Sequence, residues 1–126
     1  MKNNLLFISF LFLGAYFQAQ TYTTGVVSLS STPGLVMTAK IDVGTQVNLT
    51  FTGPSGRWFA LGFDATSMGS GNDVATVHAV GTLNAFDASI GGYSAPIADP
   101  LQHWTITSDQ VASGVRTVVA TRALNT

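Results

Sequence analysis

Short alternations of apolar and polar residues, broken every few positions by Gly, Pro or Asn, recur along the chain after residue 20. The clearest covers residues 35–43, where every second side chain from Leu35 to Val43 is apolar. A period of two directs successive side chains to opposite faces of a strand, and one buried and one wetter face is typical of antiparallel sheets. No sustained apolar stripe has helical spacing. We therefore expect an all-β chain.

If the Gly, Pro and Asn breaks mark the strand ends, the sequence predicts seven strands and a short eighth near residues 88–90. The seven cover residues 25–30, 35–43, 46–52, 57–63, 73–80, 102–107 and 115–124. The fourth is apolar on both faces, which predicts a central strand with Trp58 packed in the core. Residues 108–114 are expected to form a polar connection. Strands at this spacing, without a fixed repeat, predict an antiparallel sandwich or barrel.

The first 20 residues have the order of a secretory signal peptide. Lys2 precedes an almost wholly apolar run, and small and polar residues follow up to Gln20. The run is shorter than the about 20 residues that cross a bilayer, although a buried helix or a membrane anchor is the alternative. No later segment is long and apolar enough to span a membrane. We expect one domain, residues 21–126, secreted or displayed at the cell surface. The lack of cysteine favours a bacterial origin.

Charge and residue usage exclude several functions. Five basic and six acidic residues leave no dense Lys/Arg surface for nucleic acid. Without cysteine there is no disulfide, thiolate nucleophile, cysteine-ligated zinc or iron–sulfur cluster in this chain. All six acids are scattered Asp residues, and no Gly-x-Ser-x-Gly motif occurs. We therefore do not expect an enzyme.

The most informative stretch joins two strands through a loop. The strand WFALGF, residues 58–63, leads into a loop that carries Met68, and an Asp-Val strand starts at Asp73. Further blocks are GYS at residues 92–94, QHWTI at 102–106, and VATRALNT at 119–126. In combination these blocks resemble the DOMON family over about residues 57 to 126.

The resemblance implies an immunoglobulin-like antiparallel β-sandwich that binds haem or carbohydrate. In haem-binding members a Met on this loop is an axial ligand of b-type haem, and Met68 occupies the matching position. The second ligand is a His in a strand after the Arg-x-Leu-Asn-Thr block, where this chain ends. The resemblance therefore implies a sandwich that is incomplete at the C-terminus, with a redox partner protein for the full-length molecule.

Several alternatives remain open for the individual residues. Met68 is either an iron ligand or a filler between loop and sheet. His78 is either a ligand contact or a half-buried strand residue, and His103 is expected at the surface. For a sugar ligand, Tyr93 in its Gly-rich loop is the aromatic side chain most expected to be exposed. The other aromatic candidates are Trp58, Trp104 and Phe86. A purely structural spacer domain is the third possibility.

Arg122 lies inside the last predicted strand. A buried guanidinium there needs a carboxylate partner, and Asp73 and Asp99 are the candidates.

Overall fold

The computed structural model describes residues 20–78 and 86–125, and these residues contain ten strands and no helix. The strands are β1 Tyr22–Thr23, β2 Val27–Ser30, β3 Met37–Val43, β4 Val47–Pro54, β5 Phe59–Gly62, β6 Asp73–Val77, β7 Asp87–Ser89, β8 Ile97–Ala98, β9 Thr105–Ala112 and β10 Val115–Arg122. They form two antiparallel sheets, so the predicted fold class, an all-β antiparallel sandwich, is confirmed.

The two sheets differ in size. The large sheet has six strands in the order β1-β3-β4-β10-β9, with β2 also paired to β3. The small sheet has four strands in the order β5-β6-β7-β8. The β4–β10 ladder is the longest of the central pairings and runs from Val115 opposite Pro54 to Arg122 opposite Val47. It gives the large sheet a continuous face on which the small sheet packs.

The core between the sheets is built from large apolar side chains that alternate along the strands. Leu49, Phe51 and Val118 of the large sheet are fully buried. The Phe51 ring meets the Phe59 ring of the small sheet edge-on, with centroids 4.8 Å apart. Such an edge-to-face pair adds about 0.5–1.5 kcal/mol to the stability gained from burial. Trp104 packs in the same core. These contacts confirm the buried face predicted for β4. On β3, Ala39 is buried, and Met37 and Ile41 pack partly buried against the same core.

Two arginines of β10 hold the two ends of β6. Arg116 donates a hydrogen bond to the main-chain oxygen of His78, immediately after β6. Arg122 reaches Asp73, the first residue of β6, with 3.5 Å between Nη1 and Oδ2. Because Arg116 and Arg122 are six residues apart on a strand, alternation puts both on the face that carries Val118. One strand of the large sheet therefore fixes the small sheet at two points.

The C-terminal hairpin differs from the sequence-based prediction. Residues 108–114 were predicted to be a polar connection, but β9 continues through them to Ala112. The turn consists of Ser113 and Gly114, whose φ values are 50° and 79°. Positive φ at both positions is the signature of the type I′ turn that joins tightly paired strands. The prediction was wrong because most of β9 is exposed on both faces, so polar residues occupy it as they would a loop.

The prediction of a central, doubly covered strand at residues 57–63 was also wrong. β5 is an edge strand of the small sheet. Phe59 is buried, as predicted, but Trp58 just before the strand is 63% exposed. The second apolar face of this strand therefore does not pack in the core. It borders a cavity instead.

Some predictions fall outside the described residues, including the signal peptide up to residue 19 and the end of the strand predicted at 73–80. Two short strands, β1 and β8, had no sequence prediction. In the described residues, no helix has the length and apolar character needed to cross a bilayer.

We predict that Gly53→Ala destabilises the fold. A Cβ at Gly53 would lie 2.6 Å from the buried Phe59 ring, and overpacking of a core in this way costs about 1–3 kcal/mol. The matched control is Gly56→Ala, where a Cβ would meet no heavy atom within 4 Å. Chemical denaturation of both variants measures the difference. Equal stability of the two variants would contradict the predicted packing of Phe59 under β4.

Candidate functional site

The outer face of the small sheet carries a second set of apolar residues. Along β6, Ala75 and Val77 point into the core between the sheets. Val74 belongs to a separate cluster with Ala88 and Ile90. Because side chains alternate along a strand, residues 74, 76 and 78 share the face that points away from the large sheet. An apolar outer face of this kind must be shielded from water, and two loops cover it.

A cavity of about 990 Å³ lies over this face. We call it the Met68 cavity. Its lining residues are Leu35, Gly56, Arg57, Trp58, Met68, Thr76, His78, Tyr93, Ser94, Ala95 and Pro96. This volume is at the upper end of the range for cofactor and drug-sized ligands, about 300–1,000 Å³. Within the part of the chain that the structure describes, no carboxylate or carboxamide side chain lines it.

Met68 lies in the loop between β5 and β6 that forms one wall of the cavity. The ends of this loop are held by main-chain hydrogen bonds, from Phe63 N to Asp73 O at 2.9 Å and from Gly71 N to Ile90 O at 2.9 Å. The Met68 side chain is 49% exposed. It is therefore neither a buried core filler nor directed wholly into solvent. Its thioether is available to a ligand in the cavity.

His78 and Trp58 line the same cavity from neighbouring strand ends. Phe59 is paired with Val77 in the β5–β6 ladder, and the same register continued by one residue places Trp58 opposite His78. Both side chains then stand on the outer face with Thr76. The His78 side chain is half-buried. The expectation that Trp58 packs in the core is thus wrong, because at this edge the outer face opens into the cavity.

Tyr93 lines the cavity from the loop between β7 and β8. It is 98% exposed, in agreement with the prediction from its Gly-rich surroundings. Gly92 has φ 78°, a conformation that glycine adopts without steric cost. Ser94 Oγ donates a 2.6 Å hydrogen bond to Gly91 O, which closes the turn. The loop therefore presents an aromatic ring at the cavity rim.

A smaller apolar pocket of about 350 Å³ adjoins the Met68 cavity. Met37, Phe59, Val74 and Ile90 line it, together with four residues that also line the larger cavity. These shared residues are Trp58, Met68, Ser94 and Pro96. Met68 and Trp58 therefore stand where the two spaces meet.

The remaining candidates lie away from the cavity. Trp104 and Phe86 are buried in the core, with ring centroids 6.0 Å apart. The ring of His103 lies at the surface, with Nδ1 3.3 Å from the Asp87 carboxylate. Arg122 stacks over Trp104 at 4.9 Å from its centroid. These three aromatic and imidazole groups thus have structural surroundings and do not contribute to the Met68 cavity.

Three carboxylates cluster on the inner face of the small sheet. Asp73, Asp87 and Asp99 each offer an oxygen atom, and these atoms lie within 4.8 Å of one another. Burial and the charges of the two neighbouring carboxylates raise the pKa of Asp73, although Arg122 opposes the shift. Asp87 accepts a hydrogen bond from His103 N. Asp73 Oδ2 contacts Arg122, and Asp87 is bound by His103. A cluster of acids by itself assigns no ligand.

The polar support beneath His78 comes from the large sheet. Arg116 is 7% exposed and binds Asp109 through two hydrogen bonds, Nε to Oδ1 at 2.8 Å and Nη2 to Oδ2 at 2.6 Å. The hydrogen bonds from Arg116 hold the pKa of Asp109 below its usual value, and in return Asp109 raises the pKa of Arg116. The remaining Nη1 donates to His78 O.

The site thus combines a thioether, an imidazole, a guanidinium and two accessible aromatic rings around one cavity. Sequence reasoning singled out Met68, His78 and Tyr93, and the structure brings these three together. It missed Arg57, which no local motif distinguishes from an ordinary turn residue. No protein-family model, curated protein or solved structure matches the chain.

We predict that Asp109→Asn lowers the free energy of unfolding at neutral pH by about 1–3 kcal/mol, because a buried guanidinium loses its charged partner. The pKa of Asp109 is depressed in the folded state. Its contribution is therefore fully present above the unfolded-state pKa of about 3.9 and is lost as pH falls through the lower folded-state pKa.

Denaturant titrations of the wild type and the variant across this acidic range test that dependence. The matched control is Asp64→Asn, an exposed loop position with φ 50° that Asn also tolerates. A stability difference for Asp109→Asn that persisted unchanged at the acid end would refute an electrostatic origin.

Proposed function

We propose that this chain is an exported binding domain that holds b-type haem in the Met68 cavity, for electron transfer by the full-length protein. The observation that carries the proposal is that Met68 and His78 line one large cavity. They lie ten residues apart in sequence, Met68 in the loop before β6 and His78 directly after this strand. A thioether and an imidazole are the two neutral side-chain ligands that haem iron takes in electron-transfer proteins.

The chemistry of the lining fits the proposed group. Trp58, Leu35, Ala95 and Pro96 supply apolar surface for a flat macrocycle. Arg57 is an exposed guanidinium at the same cavity, and arginine pairs well with carboxylates such as the haem propionates. When bound, haem would supply a one-electron carrier whose potential is set by its ligands and its exposure to solvent.

The protein's own residues have separate tasks in this proposal. Met68 offers a neutral, polarizable sulfur that favours the reduced metal. Main-chain hydrogen bonds hold the ends of the loop that carries Met68, one of them to Ile90. Trp58 and Tyr93 line the cavity, and both rings are largely exposed to solvent. The predicted signal peptide supports export of the domain.

The proposal predicts that haem added to the purified protein gives a Soret band that depends on Met68. Met68→Leu preserves side-chain volume but removes the sulfur, a change that cores usually tolerate at under about 1.5 kcal/mol. We expect the variant to lose the sulfur-to-iron charge-transfer band and to show a lower reduction potential, measured by spectroelectrochemistry.

Met37→Leu is the matched control, because Met37 on β3 lines the smaller adjoining pocket but not the Met68 cavity. We expect it to keep the wild-type spectrum. A protein that stays colourless with excess haem, or a Met68→Leu spectrum identical to the wild type, would reject haem binding at this site.

A carbohydrate-binding module is the second candidate, and the exposure of two aromatic rings on the same cavity favours it. Trp58 and Tyr93 are 63% and 98% exposed, and flat exposed rings stack on sugars. The described lining lacks the acid and amide side chains that pair with sugar hydroxyls, which is why we rank it second.

The carbohydrate proposal predicts glycan binding that falls strongly in Trp58→Ala and Tyr93→Ala. Tyr22→Ala is the control, since Tyr22 is an exposed tyrosine on β1 outside the cavity. A glycan array read with the wild type and the three variants decides the matter. If the wild type binds no glycan across a broad panel, or if Tyr22→Ala reduces glycan binding equally, this function is excluded.

A further inference from the structure

Arg57 differs from the other basic side chains that the structure describes. Lys40, Arg116 and Arg122 each contact a carboxylate, at 2.8, 2.6 and 3.5 Å. Among the described residues, the Arg57 guanidinium takes part in no ion pair and no side-chain hydrogen bond. Arg57 is exposed and lines the Met68 cavity, whose described lining holds no carboxylate. Its positive charge therefore has no counterion within the described domain.

The main chain that carries Arg57 is held in place. Arg57 N donates to Pro54 O at 3.3 Å. Ser55 N, in the same turn, donates to Gly114 O in the turn between β9 and β10 at 2.9 Å. A guanidinium presents its donors in a rigid fork that matches the two oxygens of a carboxylate. A fixed turn thus presents an available carboxylate-binding group at the cavity.

The smaller pocket that adjoins the Met68 cavity has the opposite character. Its lining is almost wholly apolar, and Phe59, Val74 and Ile90 in it are buried. In the described part of its lining, Ser94 provides the one hydroxyl, and this group already donates to Gly91 O at 2.6 Å. A polar group buried there without a hydrogen-bond partner would cost free energy. The smaller pocket therefore fits the apolar part of a ligand.

Apolar surface that is open to solvent connects the two spaces. Trp58 and Met68 line both of them, and both side chains are exposed. Leu35 and Tyr93 add further exposed surface to the larger cavity. Exposed apolar patches of this kind mark binding sites. A ligand that covers this surface and enters both spaces meets the guanidinium at one place and the apolar pocket at another.

We propose that the Met68 cavity selects an apolar carboxylate, with the carboxylate on the Arg57 guanidinium and the apolar end in the smaller pocket. Arg57 is the specificity-determining residue, because it separates an acid from an uncharged ester or alcohol of similar shape. This inference rests on the proposed function in that it concerns the same cavity, and haem with its propionates belongs to the class. It goes further because the selection needs no iron and also admits acids with an acyl chain.

The first test compares acids with uncharged analogues in metal-free titrations followed by tryptophan fluorescence. The probes are protoporphyrin IX with its dimethyl ester, and dodecanoic acid with dodecanol. We expect the wild type to bind at least one acid about 5- to 10-fold more tightly than its analogue, the effect of a partly exposed ion pair. Added salt should weaken this preference. Equal binding of acid and analogue in both pairs, or no binding of either acid, would overturn the proposal.

Variants assign the preference to the guanidinium. Arg57→Gln should bind the acid and its uncharged analogue equally, whereas Arg57→Lys keeps the charge and should retain part of the preference. The matched control is Lys40→Gln, which removes the same charge from β3, outside both spaces. It should keep the full preference. Full acid preference in Arg57→Gln, or an equal loss in Lys40→Gln, would show that Arg57 does not select the ligand.

The apolar end has tests of its own. Acetate carries the charge without the apolar body, so it should not bind at concentrations at which the larger acid saturates the wild type. Ala60→Leu adds carbon atoms to the smaller pocket, which Ala60 lines, and not to the Met68 cavity. We expect this variant to bind the larger acid more weakly. Binding of acetate as tight as that of the larger acid, or unchanged affinity in folded Ala60→Leu, would contradict the proposed orientation.

The outcomes separate the two proposals and the two sources of ligand. Arg57-dependent binding of protoporphyrin IX alone identifies a macrocycle as the ligand and supports both proposals. Arg57-dependent binding of dodecanoic acid alone supports this inference and counts against haem. A Met68-dependent haem spectrum without any Arg57-dependent preference for acids supports the proposed function and refutes this inference.

Discussion

The structure depends on two contacts that β10 of the large sheet makes with the two ends of β6. Arg116 holds the carbonyl after its last residue, and Arg122 reaches the carboxylate of its first. Between these two points the inner face of β6 packs on the core, and Val74 on its outer face packs in a separate cluster. Removing a partner of the buried Arg116 is destabilising, whereas the contact between Arg122 and Asp73 is partly exposed. The two arginines thus hold the strand that forms the floor of the Met68 cavity, and neither of them lines the cavity.

This arrangement gives the small sheet two different faces. The inner face carries Ala75 and Val77 and is sealed by the large sheet. The outer face carries Thr76 and His78, and loops rather than a third layer cover it. Loops on a rigid scaffold are where binding residues are commonly found. A thioether from one loop and an imidazole from a strand end can therefore face one ligand while the core remains closed.

The fold was predictable from sequence wherever burial differs between the two faces of a strand. Leu49 and Phe51 follow the period of two, and β4 was predicted almost to its ends. β9 was missed because most of it is exposed on both faces, so no alternation marks it. Trp58 was misplaced because an apolar residue facing a cavity has the same local pattern as one facing a core. Met68, His78 and Tyr93 were found individually, but their convergence depends on the β5–β6 register and the loops, which no local pattern encodes.

The central claim is that the Met68 cavity holds a haem whose iron is bound by the Met68 sulfur. X-ray absorption at the iron edge of the haem-loaded protein measures the atoms bound to iron directly. The account predicts one sulfur scatterer in the first shell of the wild type, absent in Met68→Leu and retained in Met37→Leu. A first shell made only of nitrogen and oxygen in the wild type would contradict it.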